Sequence, residues 1–96
     1  MAFTFPWHWL GFARRTRPDL HIVVFTRPAC PLCDEAWDLL KRHQNIYEFS
    51  LSLTNIEDSV DLVRAHGEWI PVVMINGTIR FRGHINDVLL RRILDA

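Results

Sequence analysis

Cys30 and Cys33 stand in the stretch Arg27-Pro28-Ala29-Cys30-Pro31-Leu32-Cys33-Asp34-Glu35 and are the only cysteines among 96 residues. A pair at this spacing can offer one sulfur as an attacking thiolate and hold the other within reach to resolve a mixed disulfide. The flanking residues fit that chemistry. "HIVVFT", residues 21–26, is a continuous apolar, β-branched run and predicts a strand covered on both faces. Pro31 suits the first position of a helix, with Asp34 and Glu35 in its first turn. Cys30 would then sit at the helix N-terminus, where unpaired backbone N–H groups and the positive end of the dipole stabilise a thiolate. Arg27 adds to that effect and the two acids oppose it, so moderate activation is expected.

Three plainer uses of the pair remain open on these residues alone. Zinc would need further ligands, but there is no second cysteine pair, and histidines 8, 21, 43, 66 and 84 are scattered. A structural disulfide closing so short a loop would stabilise little in a reducing compartment. The two could also be small buried residues with no chemistry at all.

The elements that must position the pair can be read in order. The helix opened by Pro31 is expected to run to His43, with Leu32, Ala36, Leu39 and Leu40 as its buried stripe and Lys41, Arg42 and His43 closing it. Trp37 on this helix reads as core. "IYEFSLSL", residues 46–53, alternates and predicts a second strand. Thr54 and Glu57 have capping-box spacing for a helix through about His66 that Gly67 ends. "PVVMI" is a third strand, Asn76-Gly77 a hairpin turn, "TIRFR" the partner strand, and "NDVLLRRILDA" a last amphipathic helix. The order β-α-β-α-β-β-α implies an α/β fold with parallel pairing through right-handed crossovers and an antiparallel edge.

Composition narrows the function classes. Eleven Lys and Arg balance eleven Asp and Glu, a poor charge profile for nucleic-acid binding. No apolar run approaches the roughly 20 residues that span a bilayer. Residues 1–20 differ from the rest: Phe3, Phe5, Trp7, Trp9 and Phe12 precede Arg14, Arg15 and Arg17. Apolar-before-basic is the reverse of a secretory signal, so a cytoplasmic location is expected. Residues 3–17 could rest on a membrane surface or a partner. Lacking a helical apolar face, the segment reads rather as covering an edge or helix face of the domain itself. The expected division is an N-terminal extension, 1–20, and one domain, 21–96.

"TRPACPLC" after a buried strand, "WIPVV" before the third strand and "FRGHIND" after the hairpin resemble the glutaredoxin-like branch of the thioredoxin superfamily, in particular small bacterial glutaredoxin-like proteins. The resemblance runs from about His21 to Ala96. It implies a thioredoxin-like fold, a central four-stranded mixed sheet flanked by helices, and thiol–disulfide oxidoreductase activity. Cys30 would be the nucleophile and Cys33 the resolving thiol. Pro71 would be a cis-proline facing them, with the Ile70 backbone pairing with a substrate strand. Arg27 falls where glutaredoxins often hold a glutathione carboxylate, and Pro31, Leu32, Gly83 and His84 would complete the substrate-binding residues. Disulfide-bearing proteins or glutathione adducts would be the substrates, and glutathione or a protein reductase the electron source, with no tightly bound cofactor. Three positions depart from the relatives. Leu32 replaces a common Tyr, Gly83-His84 replaces Gly-Gly, and Val24 stands where thioredoxins carry a buried acid. His84 would either obstruct a glutathione carboxylate site or favour the Cys30 thiolate, or serve as an ordinary loop histidine. Trp69 and Ile70 would line an apolar groove or belong to the core. The alternatives are a dimeric iron–sulfur module held by Cys30 and glutathione, and a non-enzymatic adaptor that keeps the fold.

Overall fold

In the computed structural model, which describes residues 16–96, the apolar run His21–Thr26 is the strand β1. It is followed by the helix α1 (Pro31–Tyr47), the strand β2 (Ser50–Asn55), a 3-10 turn (Ile56–Asp58) and the helix α2 (Val60–His66). The strands β3 (Val72–Ile75) and β4 (Thr78–Arg82) and the helix α3 (Asp87–Asp95) complete the chain. The four strands form one sheet in the order β2-β1-β3-β4. β1 runs parallel to β2 and antiparallel to β3, and β3 runs antiparallel to β4. This is the expected α/β order, with the 3-10 turn added.

The core lies between one face of the sheet and the helices α1 and α3. Ile22, Val24, Val73, Ile75 and Phe81 meet Ala36 and Leu40 of α1 and Leu90 and Leu94 of α3. Each helix delivers its pair at four-residue spacing, one turn apart on one face. Leu40, Leu90 and Leu94 are fully buried, and each such side chain is worth about 1.5–3 kcal/mol relative to exposure. Trp37 and Leu39 pack against this cluster from its margin.

Three features differ from the sequence reading, each for a local reason. α1 does not close at Lys41–His43 but continues through Tyr47. Tyr47 packs against the core and lies near His43, their ring centroids 6.3 Å apart. It thus extends the stripe of Ala36, Leu40 and His43, and helical spacing overrides the apparent alternation of residues 46–49. Glu48 ends the helix in the left-handed region (φ 57°), its N–H donating to the Gln44 carbonyl at 2.8 Å. β2 therefore begins only at Ser50. Secondly, Leu32 is not part of the buried stripe; it is 49% exposed.

Thirdly, Thr54 caps nothing, because it lies inside β2. Asn55 Oδ1 accepts the Glu57 N–H at 2.9 Å to open the 3-10 turn, and Ser59 Oγ accepts the Leu62 N–H at 3.4 Å to open α2. Gly67 does end α2, but without a left-handed backbone (φ −56°). Its N–H reaches the Val63 carbonyl, and a Cβ there would fall 2.6 Å from that oxygen. The hairpin turn does use positive φ, at Asn76 (50°) and Gly77 (83°), as a type I′ turn requires.

The chain just before β1 is tied into the domain. Leu20 is buried, and the Arg17 N–H donates to the Tyr47 carbonyl. Arg17 Nη1 donates to the carbonyls of Ile93 (3.2 Å), Leu94 (2.6 Å) and Ala96 (3.1 Å). The first two belong to the last turn of α3, where carbonyls outnumber intrahelical donors, and Ile93 also accepts the Ala96 N–H at 3.4 Å. At the other end of α3, Asp87 Oδ1 meets His43 Nε2 at 2.8 Å and so links α3 to α1. That hydrogen bond, and then the nearby Arg91, hold the Asp87 carboxyl below its ordinary pKa. Residues 1–15, which carry the aromatic anchors and Arg14 and Arg15 of the N-terminal reading, lie outside the described residues. Among the described residues, no helix is long and apolar enough to cross a membrane.

Two predictions follow the two ends of α3. Arg17→Ala is expected to lower stability by about 1.5–3 kcal/mol, the range for hydrogen bonds made by a charged donor, as a fall in the urea midpoint. Asp87 has a lowered folded-state pKa, so its contribution is present above the unfolded value of about 3.9 and is lost as pH falls through the folded one. Asp87→Asn should therefore be less stable than the parent at pH 6. Urea titrations at descending pH should show the gap closing below about pH 3.9.

Candidate functional site

β1 delivers the chain to one end of the sheet, and four residues, Arg27 to Cys30, turn it into α1. Ala29 makes that turn in the left-handed region (φ 58°). Cys30 is the N-cap: its backbone is extended, and its Sγ accepts the Cys33 N–H at 3.2 Å. The Cys30 carbonyl accepts the Asp34 N–H at 3.1 Å, the first closed turn of α1. Pro31 at the first helical position lacks an N–H that would in any case find no partner there. Cys30 and Cys33 are joined as a disulfide, with Cα atoms 5.2 Å apart. The two sulfurs are placed unequally. Cys30 is partly exposed, whereas Cys33 is 2% exposed, beneath the first turn of the helix.

The other expected site residues distribute around this end. The Ile70–Pro71 peptide bond is cis, and Pro71 is buried immediately ahead of β3. The Pro71 carbonyl accepts the Gly83 N–H at 2.8 Å, which joins the start of β3 to the loop after β4. Gly83 has φ 77°, a value that favours glycine. Ile70 is half-buried and its backbone makes no hydrogen bond among the described residues. Leu32, Gly83 and His84 do come together. They line one groove of about 300 Å³ with Glu35, Asp38, Leu39 and Arg42 of α1 and Ile85 of the loop.

Arg27 is not part of that groove. Its guanidinium faces Glu57 of the 3-10 turn at 3.7 Å. Trp69 is 55% exposed and therefore not core; it lines a separate hollow with His66, Ile79 and Arg82. The sequence reading missed Glu35, Asp38 and Arg42 as groove residues. The signal was present, since 32, 35, 39 and 42 recur at helical spacing and follow from Leu32 once it is placed on the exposed face. Ala29 had no such signal. Among the described residues, no three His, Cys, Asp or Glu side chains gather in a group that could hold a metal ion.

A mixed four-stranded sheet with a cysteine pair opening the helix after its first strand defines a thioredoxin-like fold. Solved structures agree. A protein of Nitrosomonas europaea, Ne2328, is similar with a TM-score of 0.71 at 22% identity, over 83% of this chain and 95% of that one. The protein XcR50 of X. campestris is similar with a TM-score of 0.65 at 24% identity, over 77% and 95% of the two chains. Oxidised thioredoxin of Plasmodium falciparum is similar with a TM-score of 0.56 at 14% identity, over 97% and 92%. No curated protein matches in sequence. The family profile described as glutaredoxin-like domain (DUF836) matches residues 21–95, and the chain belongs to that family.

The unequal exposure of the two sulfurs is open to a direct check. After reduction, iodoacetamide is expected to modify Cys30 well before Cys33, read by peptide mass spectrometry during a time course. Equal rates at the two positions would contradict the placement of Cys33 beneath the helix.

Proposed function

We propose that the protein is a thiol–disulfide oxidoreductase. The observation that carries this reading is the cysteine pair at the N-terminus of α1, with Cys30 Sγ accepting a helical N–H and Cys33 held one turn deeper. The Cys33 N–H that donates to Cys30 Sγ in the disulfide would stabilise its thiolate once the bond is reduced. That thiolate attacks a substrate disulfide: the Cys30–substrate S–S bond forms, the substrate S–S bond breaks, and the departing thiolate takes up a proton. The Cys33 thiolate then attacks Cys30 Sγ, closing the Cys30–Cys33 bond and releasing the second substrate thiolate. Two electrons pass to the substrate, and glutathione or a protein reductase in the cytoplasm would restore the dithiol.

The surroundings support roles for the remaining residues. The free Ile70 backbone beside Pro71 offers a donor and an acceptor to an extended substrate chain, in the manner of an added strand. The groove along Leu32, Gly83 and His84 would receive the flanking substrate residues. His84 stands in that groove where a second glycine would leave room for a glutathione carboxylate, which favours a protein disulfide over a glutathione disulfide as the substrate. Arg27, already facing Glu57, is less free to bind a glutathione carboxylate.

Equilibration in graded reduced and oxidised glutathione, acid quench and intact mass measurement test the reading. A loss of two protons with a midpoint of roughly −200 to −270 mV is expected, the span of thioredoxins and glutaredoxins. Cys33→Ser should accumulate a mixed disulfide on Cys30, and Cys30→Ser should form none. Thiols that stay reduced throughout the series, with no adduct in Cys33→Ser, would overturn the oxidoreductase reading.

A further inference from the structure

The two edges of the sheet are built differently. β4 carries Arg80 and Arg82, both exposed, and its ladder with β3 shifts register at Val73/Met74. Charges and bulges are common means of blocking an edge against further pairing. β2 has neither. Residues 49–56 hold no charge, proline or glycine, and β2 pairs with β1 in unbroken register from Ser50 to Asn55. The Ser50 N–H donates to the Leu20 carbonyl at 3.0 Å. By the alternation of a parallel ladder, Ser50, Ser52 and Thr54 direct their backbone groups toward β1, while those of Leu51 and Leu53 point away from the sheet. Among the described residues, no strand pairs with that outer side. Leu53 is 53% exposed there.

We propose that this edge docks a second copy of the chain, β2 against β2, antiparallel about a two-fold axis at Ser52. The run Ser50-Leu51-Ser52-Leu53-Thr54 has the same polarity read from either end. In this pairing Leu51 of one copy lies opposite Leu53 of the other, twice. These are the residues whose N–H and C=O groups point outward, so each pair exchanges two hydrogen bonds. Ser52 lies opposite Ser52, and Ser50 opposite Thr54, on the other face. Leu51 already packs against the core cluster, and Leu53 alternates onto the same side, so the apolar layer continues across the junction. With no charge from residue 49 to 56, no like charges meet. A self-matched, uncharged edge favours a copy of itself over a charged partner strand. The result is an eight-stranded sheet with a two-fold interface. Because the two β2 strands run in opposite directions, the two cysteine ends point away from each other and both stay open.

Sedimentation of the full chain over a range of concentrations, with Ser52 variants, tests this. A dimer is expected. Ser52→Lys, which sets two like charges at the axis, should weaken it about tenfold or more, with an unchanged far-UV spectrum showing that the fold is kept. Mixing Ser52→Lys with Ser52→Glu should restore dimers. Ser52→Cys, in a background with Cys30 and Cys33 both changed to Ser, should oxidise to a covalent dimer. Directly opposite residues of this kind lie about 4.5 Å apart at Cα, within disulfide reach. A monomer at every concentration, its edge left to the chain's own N-terminal residues or to another protein, would overturn the proposal. A dimer indifferent to Ser52→Lys, with no Ser52→Cys cross-link, would overturn it too.

Discussion

The backbone pairing of β1 on both of its sides is the constraint from which the candidate site follows. β1 is held in register from His21 to Thr26 by β2 and from Ile22 to Phe25 by β3. Its C-terminal end is therefore fixed, and with it the point at which the chain leaves the sheet to start α1. The same antiparallel pairing fixes where β3 begins, because Val72 lies opposite Phe25. Pro71 and the Ile70 backbone consequently sit at the end of the sheet where Cys30 and Cys33 emerge. Nothing in the loop itself needs to bring these two segments together; the ladder does it.

The electrostatics of that end are less positive than Arg27 alone suggests. Arg27 lies three residues before Cys30, yet its guanidinium is directed to Glu57. Asp34 and Glu35 stand in or beside the first turn of α1 and would oppose a second negative charge. One cation and three anions thus leave no net positive side-chain charge beside the cysteine pair. What remains is the oriented backbone, with the Cys33 N–H already aimed at Cys30 Sγ. Helix geometry, rather than a cationic neighbour, is the term that singles out Cys30.

Much of this was legible in the sequence because it rests on local rules. The apolar run 21–26, proline at the first helical position and Asn76-Gly77 between two short strands each have one dominant structural meaning. The errors fall where two rules competed. Residues 46–49 alternate like a strand, yet Tyr47 completes a helical stripe with Ala36, Leu40 and His43, and burial decided between the two periods. Leu32 has helical spacing to the core residues, but it belongs to the turn that faces the groove instead. Thr54 and Glu57 have capping spacing, but pairing with β1 extends β2 to Asn55 and moves the caps to Asn55 and Ser59. The left-handed Ala29 was not legible, since alanine signals no such conformation.

The clamps that hold the helices lie apart from the cysteine pair, and this division has a physical logic. Arg17 gathers the last carbonyls of α3, and His43 and Asp87 link the middle of α1 to the start of α3. Both fix α3 against the sheet and α1 without involving the first turn of α1. α1 is thus anchored through Leu40, His43 and Tyr47, beyond the turn that carries the cysteine pair. The left-handed step at Ala29 is then backed by a packed core beyond it, the setting in which such a backbone conformation persists.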